Sequence, residues 1–79
     1  MNTPNVKYNL LTTREKEVLN LIIDNHTTDS IAKELVITFE TAKSHRKKVY
    51  QKLEVNTIVD LMNFYHTVLT QPKHDENNY

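Results

Sequence analysis

The 79-residue chain contains no glycine, no cysteine and no tryptophan, and only two prolines. Without cysteine there is no disulfide staple and no thiolate metal site. Without glycine, the tight hairpin turns and phosphate-cradling loops that depend on it are disfavoured. No apolar run approaches the roughly 20 residues of a membrane span; the stretch Leu21-Ile22-Ile23 stops after three. Nothing reads as a secretory signal. These absences lead us to expect a soluble, cytoplasmic protein in a reducing compartment, with no membrane partner, no metal and no cofactor. The length fits one small domain with a thin core. A catalytic pocket of the usual size, about 300 Å³ or more, is hard to carve from such a chain, so an enzyme is not expected.

Ten basic and ten acidic residues cancel in the total, but their positions differ. Residues 1–42 carry four basic and six acidic side chains, whereas residues 43–52 carry five basic and none acidic. Those five are Lys43, Arg46, Lys47, Lys48 and Lys52. A neutral protein with one concentrated positive segment has a local field that fits an anionic partner. A merely solvated helix face is the simpler alternative. The absence of a compensating Glu within the run favours nucleic acid.

Four helices follow from caps and apolar spacing. Thr12 begins the first, and Glu15 three residues later completes a Thr-x-x-Glu capping box. Val18, Leu19, Ile22 and Ile23 then recur on one face. Asn25 ends this helix, because Asn tolerates the positive φ that glycine usually supplies there. Thr27 caps the second helix, with Asp29 near its positive end and Ile31, Ala32 and Leu35 facing inward. After Val36-Ile37, Thr38 caps a third helix with Glu40 in its first turn. This helix runs to about Leu53, and its inward stripe is Ala42, His45, Val49 and Leu53. Asn56 or Thr57 caps a fourth helix that runs to about Thr70, before Pro72. Residues 1–9 read as a flexible N-terminal arm, 10–70 as the folded domain and 71–79 as a flexible C-terminal tail.

The fourth helix has more apolar surface than one face can bury: Ile58, Val59, Leu61, Met62, Phe64, Tyr65, Val68 and Leu69. It is either a crowded core helix or carries an interface.

A short link between the second and third helices crosses them and makes the third project outward. A projecting basic helix is the element that a helix-turn-helix unit inserts into the major groove. Lys43, Ser44 and Lys47, in its N-terminal half, are placed to read base edges. Arg46, Lys48 and Lys52 flank them and suit the phosphate backbone, as do the amides at Thr27 and Thr28. Tyr50 either touches the backbone or covers the core edge. His45, on the inward stripe, reads as a packed core histidine, and His26, His66 and His74 share no spacing with it that forms a zinc site. Arg14 and Glu15 read as an ion pair and cap, with Arg14 also within reach of a phosphate. No catalytic constellation is present.

These segments resemble the LuxR-type (GerE-like) helix-turn-helix domain. The resemblance rests on Leu11-Thr12-Thr13-Arg14-Glu15-Lys16-Glu17-Val18-Leu19, on Ile31-Ala32-Lys33-Glu34-Leu35-Val36-Ile37-Thr38, on Thr41-Ala42-Lys43-Ser44-His45 and on Lys52-Leu53-Glu54-Val55, in that order and spacing. It covers about residues 10–69. It implies an all-α, four-helix domain of a dimeric bacterial transcription regulator that binds double-stranded DNA. Lys43, Ser44 and Lys47 would read bases, Lys48 and Arg46 would lie on the backbone-contacting flanks, and Ile58, Leu61, Met62 and Tyr65 would form core or dimer contacts. Four departures stand out. Asn25 replaces a usual Gly, Thr28-Asp29-Ser30 a common Asn-Lys-Glu run, Ala42 a usual Val and Ile58 a usual Arg. The last makes the fourth helix more apolar. With no room for a sensor domain, the chain resembles the stand-alone members unless it is a fragment of a longer regulator. Two other readings remain open. One is a sigma-factor-like promoter module acting with RNA polymerase, since such domains share the Leu-Thr-x-Arg-Glu opening. The other is a helical protein-interaction adaptor that does not bind DNA.

Overall fold

The structure, a computed structural model, describes residues 4–69. It is all-α, with five helices: α1 (Pro4–Asn9), α2 (Thr13–Ile23), α3 (Thr28–Leu35), α4 (Phe39–Leu53) and α5 (Ile58–Leu69). Helices α2 to α5 are the four expected from caps and periodicity. Helix α1 is an addition: the segment 1–9, expected as a flexible arm, is helical over Pro4–Asn9. Six residues are too few for a helix to hold itself in water. Here tertiary contacts do so, because α1 packs against α4 and α5. The Lys7 ammonium pairs with Glu54 at 3.0 Å, and Lys16 of α2 lies over the Tyr8 ring at 4.7 Å. The expected tail 71–79 and the helix end at Thr70 lie outside the described residues.

The helix starts are set by threonine. The Thr12 hydroxyl accepts from the Glu15 N–H at 3.1 Å while the Glu15 carboxylate accepts from the Thr12 N–H at 2.9 Å, a complete capping box. Thr27, Thr38 and Thr57 accept in the same way from the N–H groups of Ser30, Thr41 and Asp60. Thr57, rather than Asn56, therefore caps α5.

Three left-handed residues end α2, α3 and α4 without glycine: Asn25 at φ 69°, Val36 at 57° and Glu54 at 58°. Each end has the same pair of backbone bonds. At α2, His26 N–H donates to the Leu21 carbonyl and Asn25 N–H to that of Ile22; Ile37 and Val36 bond to Ala32 and Lys33, and Val55 and Glu54 to Tyr50 and Gln51. These satisfy carbonyls that the helix ends leave open. Only Asn25 was legible as such a site. A β-branched residue at positive φ, as at Val36, is strained.

Helix α4 is the centre of the domain and touches all four others. The core is Leu11, Val18, Leu19, Ile22, Ile31, Ala32, Ala42, Val49, Leu53 and Leu61. Each fully buried Val, Leu or Ile side chain contributes about 1.5–3 kcal/mol. The expected inward stripes of α2, α3 and α4 account for most of it, with Ile23, Leu35 and His45 half-buried at its edge. Small side chains at Ala32 and Ala42, on two helices in contact, are both buried. The short link Val36-Ile37-Thr38 then carries α4 out of the α3 cap with its other face toward solvent.

Candidate nucleic-acid interface

With Ala42, Val49 and Leu53 turned into the core, the helical period fixes what α4 shows outside. Glu40, Lys43, Ser44 and Lys47 fall at i, i+3, i+4 and i+7, and all four are exposed. Lys48 is exposed as well. None of Glu40, Lys43, Lys47 and Lys48 has an ion-pair partner among the described residues. The lysines of this surface are thus not ion-paired among the described residues, and a flanking anion would meet them directly.

Arg46 is half-buried at the side of this face. Its guanidinium lies 5.4 Å from the centre of the Tyr50 ring, and Nη2 donates to the Tyr50 hydroxyl at 3.5 Å. One helical turn of α4 therefore pre-orients the arginine. Tyr50 packs on the core edge, one of the two roles open to it, and also holds the Arg46 side chain.

Two open grooves meet at Arg46. One, of about 580 Å³, is lined by Lys43, Arg46, Lys47, Tyr50, Asn56 and Ile58. The other, of about 480 Å³, is lined by Thr27 and Thr28 together with Ile22, Asn25, His26, Arg46 and Ile58. The fold thus brings the start of α3 beside the basic helix, joining residues that are 18 or more positions apart in sequence (Thr28 to Arg46). His26 and Asn56 are not among the DNA-site residues expected from sequence. Both sit in turns between helices, where periodicity carries no signal, and only the crossing of α3, α4 and α5 places them here. The His26 Nδ1 lies 2.7 Å from the Ser30 hydroxyl, which ties this turn to the first turn of α3.

Lys52 is placed differently from the other basic residues. Its ammonium is 2.8 Å from the Glu15 carboxylate and 3.4 Å from the Leu10 carbonyl. The Glu15 side chain is only 5% exposed. Burial alone would raise the Glu15 pKa. The Lys52 ammonium and the Thr12 N–H and hydroxyl outweigh burial and hold the carboxyl below its ordinary range. Lys52, expected on the phosphate backbone, pairs with the foot of α2, and its side chain is still 35% exposed. Arg14 pairs with Glu17 at 3.1 Å, as an ion pair of the first turn.

On α5 the expected interface set divides. Leu61 is fully buried and belongs to the core cluster, not to a surface. Ile58 and Met62 are 45% and 40% exposed, and Val59 beside them is 63% exposed. Tyr65 is half-buried against the core. Among the described residues no helix is long and apolar enough to cross a membrane, and no group of His, Asp and Glu is placed to hold a metal ion.

Comparison with known proteins gives the family of the chain. The family model for bacterial regulatory proteins of the luxR family matches residues 9–65. Over 46 residues the chain is 46% identical to the spore germination protein GerE of Bacillus subtilis, a match covering 58% of this chain and 62% of that one. It is 39% identical over 54 residues to the response regulatory protein YgeK of Escherichia coli, covering 68% of this chain and 37% of that one. It is 38% identical over 66 residues to a putative HTH-type transcriptional regulator of Aeromonas salmonicida, covering 82% and 34%. These matches span from about a third to three-fifths of the relatives' own lengths. No solved structure matches the chain. The family is one of regulators and not of enzymes. By the match over most of its folded length, with the helix-turn-helix pair of α3 and α4 inside it, the chain belongs to the luxR family of bacterial regulatory proteins.

Proposed function

We propose that the chain is a sequence-specific binder of double-stranded DNA that acts as a homodimeric transcription regulator, with α4 in the major groove. The observation that carries this reading is the exposed, unneutralised stripe of Lys43, Ser44 and Lys47 on the helix that follows the α3 link. The major groove admits one α-helix, and lysine recognises the paired acceptors of guanine, O6 and N7. Lys43 and Lys47 are the base-reading residues in this account, with Ser44 between them. Arg46 and Lys48 take phosphates on the two sides, and the amides at Thr27 and Thr28 take one from the start of α3. We assign Lys52 a structural role through Glu15. The exposed apolar residues Ile58, Val59 and Met62 support a dimer through α5. A two-fold axis there would set two recognition helices about one turn of DNA apart on an inverted repeat.

The test is equilibrium binding of Lys43→Ala and Lys47→Ala to a selected duplex and to a random one. Each variant is expected to lose about 1–3 kcal/mol of discrimination between the two. Equal losses on both duplexes would remove the base-reading role and leave only charge.

A further inference from the structure

Glu40 opens α4 on the same stripe as the two base-reading lysines, and its charge has the wrong sign for a surface that meets phosphates. At 100° per residue it lies within about 60° of Lys43, Ser44 and Lys47 around the helix. It stands about 4.5 Å before Lys43 along the axis, a little more than the rise between neighbouring base pairs. Its side chain is exposed, and it makes no ion pair among the described residues, although Lys43 is only one turn away. The neighbouring capping bonds of this turn are made by Thr38 and Thr41, so the helix start does not use the Glu40 side chain. A role limited to favouring the positive helix end explains its place in the first turn. That role does not explain its alignment with the lysines.

We propose that Glu40 is a specificity-determining residue that accepts a hydrogen bond from the exocyclic amine of a cytosine at the base position next to the one read by Lys43. This rests on the DNA-binding reading above. Of the groups in the major groove, only the amines of cytosine and adenine donate, and a carboxylate pairs with the cytosine N4 amine. At any position that offers only acceptors, the carboxylate is left desolvated and unpaired against a polyanion, so it also rejects wrong sequences.

Two variants test this, Glu40→Ala and Glu40→Gln, each passed through selection from a randomised duplex pool and then equilibrium binding. Wild type is expected to enrich one cytosine per half-site beside its guanine positions, and to prefer it by about 5- to 150-fold, the usual range for one mismatched base pair. E40A is expected to lose that one preference, keep the guanine positions and bind random DNA more tightly than wild type. E40Q is expected to move the preference from cytosine toward adenine, the base whose N6 and N7 pair with a carboxamide. Thermal melting of both variants reports any purely structural role, which would lower stability and leave the selected sequence as it was. A wild-type selection with a clear motif that E40A and E40Q reproduce unchanged overturns this inference alone. A wild type that enriches no sequence overturns the DNA-binding reading and this inference with it.

Discussion

The Glu15–Lys52 pair sets a thermodynamic expectation that separates structure from DNA contact. The perturbation is Lys52→Met, which keeps the stem that lies along the domain and removes the ammonium. Breaking a fully buried pair by deleting one partner costs about 3–5 kcal/mol. Here the Glu15 side chain is 5% exposed but that of Lys52 is 35% exposed, so water reaches the site from one side. Discounting for that access leaves about 2–3 kcal/mol. For a domain of this size the loss lowers Tm by roughly 10–20 °C. The pH dependence has a definite sign. The folded-state pKa of Glu15 is depressed, so its contribution is present above the ordinary carboxylate pKa and is lost as pH falls through the lower folded value. In K52M the carboxyl keeps its burial and loses its main partner, so its pKa rises. The penalty of K52M is therefore largest near neutral pH and shrinks as acid protonates Glu15. The assay is thermal denaturation followed by circular dichroism from pH 7 to pH 3 for wild type, K52M, E15Q and the double variant. The double variant is expected to be more stable than the sum of the single losses allows, because it leaves no buried charge unpaired. A K52M melting temperature within about 2 °C of wild type, or strict additivity of E15Q and K52M, refutes the reasoning.

Three further outcomes follow from the same structure. Folded K52M is expected to keep the wild-type salt dependence of binding to random DNA, whereas Lys48→Ala flattens the slope of log K against log salt by about one; salt titrations of both variants check this. Val36→Asn is expected to raise stability by about 1 kcal/mol in thermal melts, since Val36 holds φ 57° while its side chain is 89% exposed, so that little burial is lost. Met62→Glu is expected to leave the fold intact and abolish self-association in sedimentation equilibrium, whereas a dimer of undiminished affinity moves the interface off α5.

What the sequence disclosed was local. Thr12, Thr27 and Thr38 announce helix starts because a cap bonds within three residues of itself, and Asn25 announces an end because it tolerates the left-handed region better than most residues. Val36 and Glu54 adopt the same conformation against their own preference, so no local rule finds them; the connections into α4 and out of it impose it. Helix α1 has neither periodicity nor length, and its supports, Glu54 and the faces of α4 and α5, are distant in the chain. The capping role of Glu15 was legible, while its pairing with Lys52 across 37 positions was not. In the candidate site, the stripe of Lys43, Ser44 and Lys47 follows from helical period alone. Its union with Thr27 and Thr28 through Arg46 depends on how α3 and α4 cross. On α5 an apolar residue stands at almost every angle, so periodicity left the inward stripe undetermined; packing against the rest of the domain buries Leu61 and leaves Ile58 and Met62 outside.

The central claim is that this surface reads DNA sequence as a dimer. Its most direct test is selection of bound fragments from a sheared bacterial genome by the full chain at moderate salt, followed by sequencing. The account predicts enrichment of an inverted repeat whose half-sites are centred about one helical turn apart, with guanines at the positions read by Lys43 and Lys47. A single unpaired half-site contradicts the dimer and points to a partner such as RNA polymerase. No enrichment over random DNA from a folded protein contradicts the DNA-reading function itself and leaves a protein-interaction adaptor in its place.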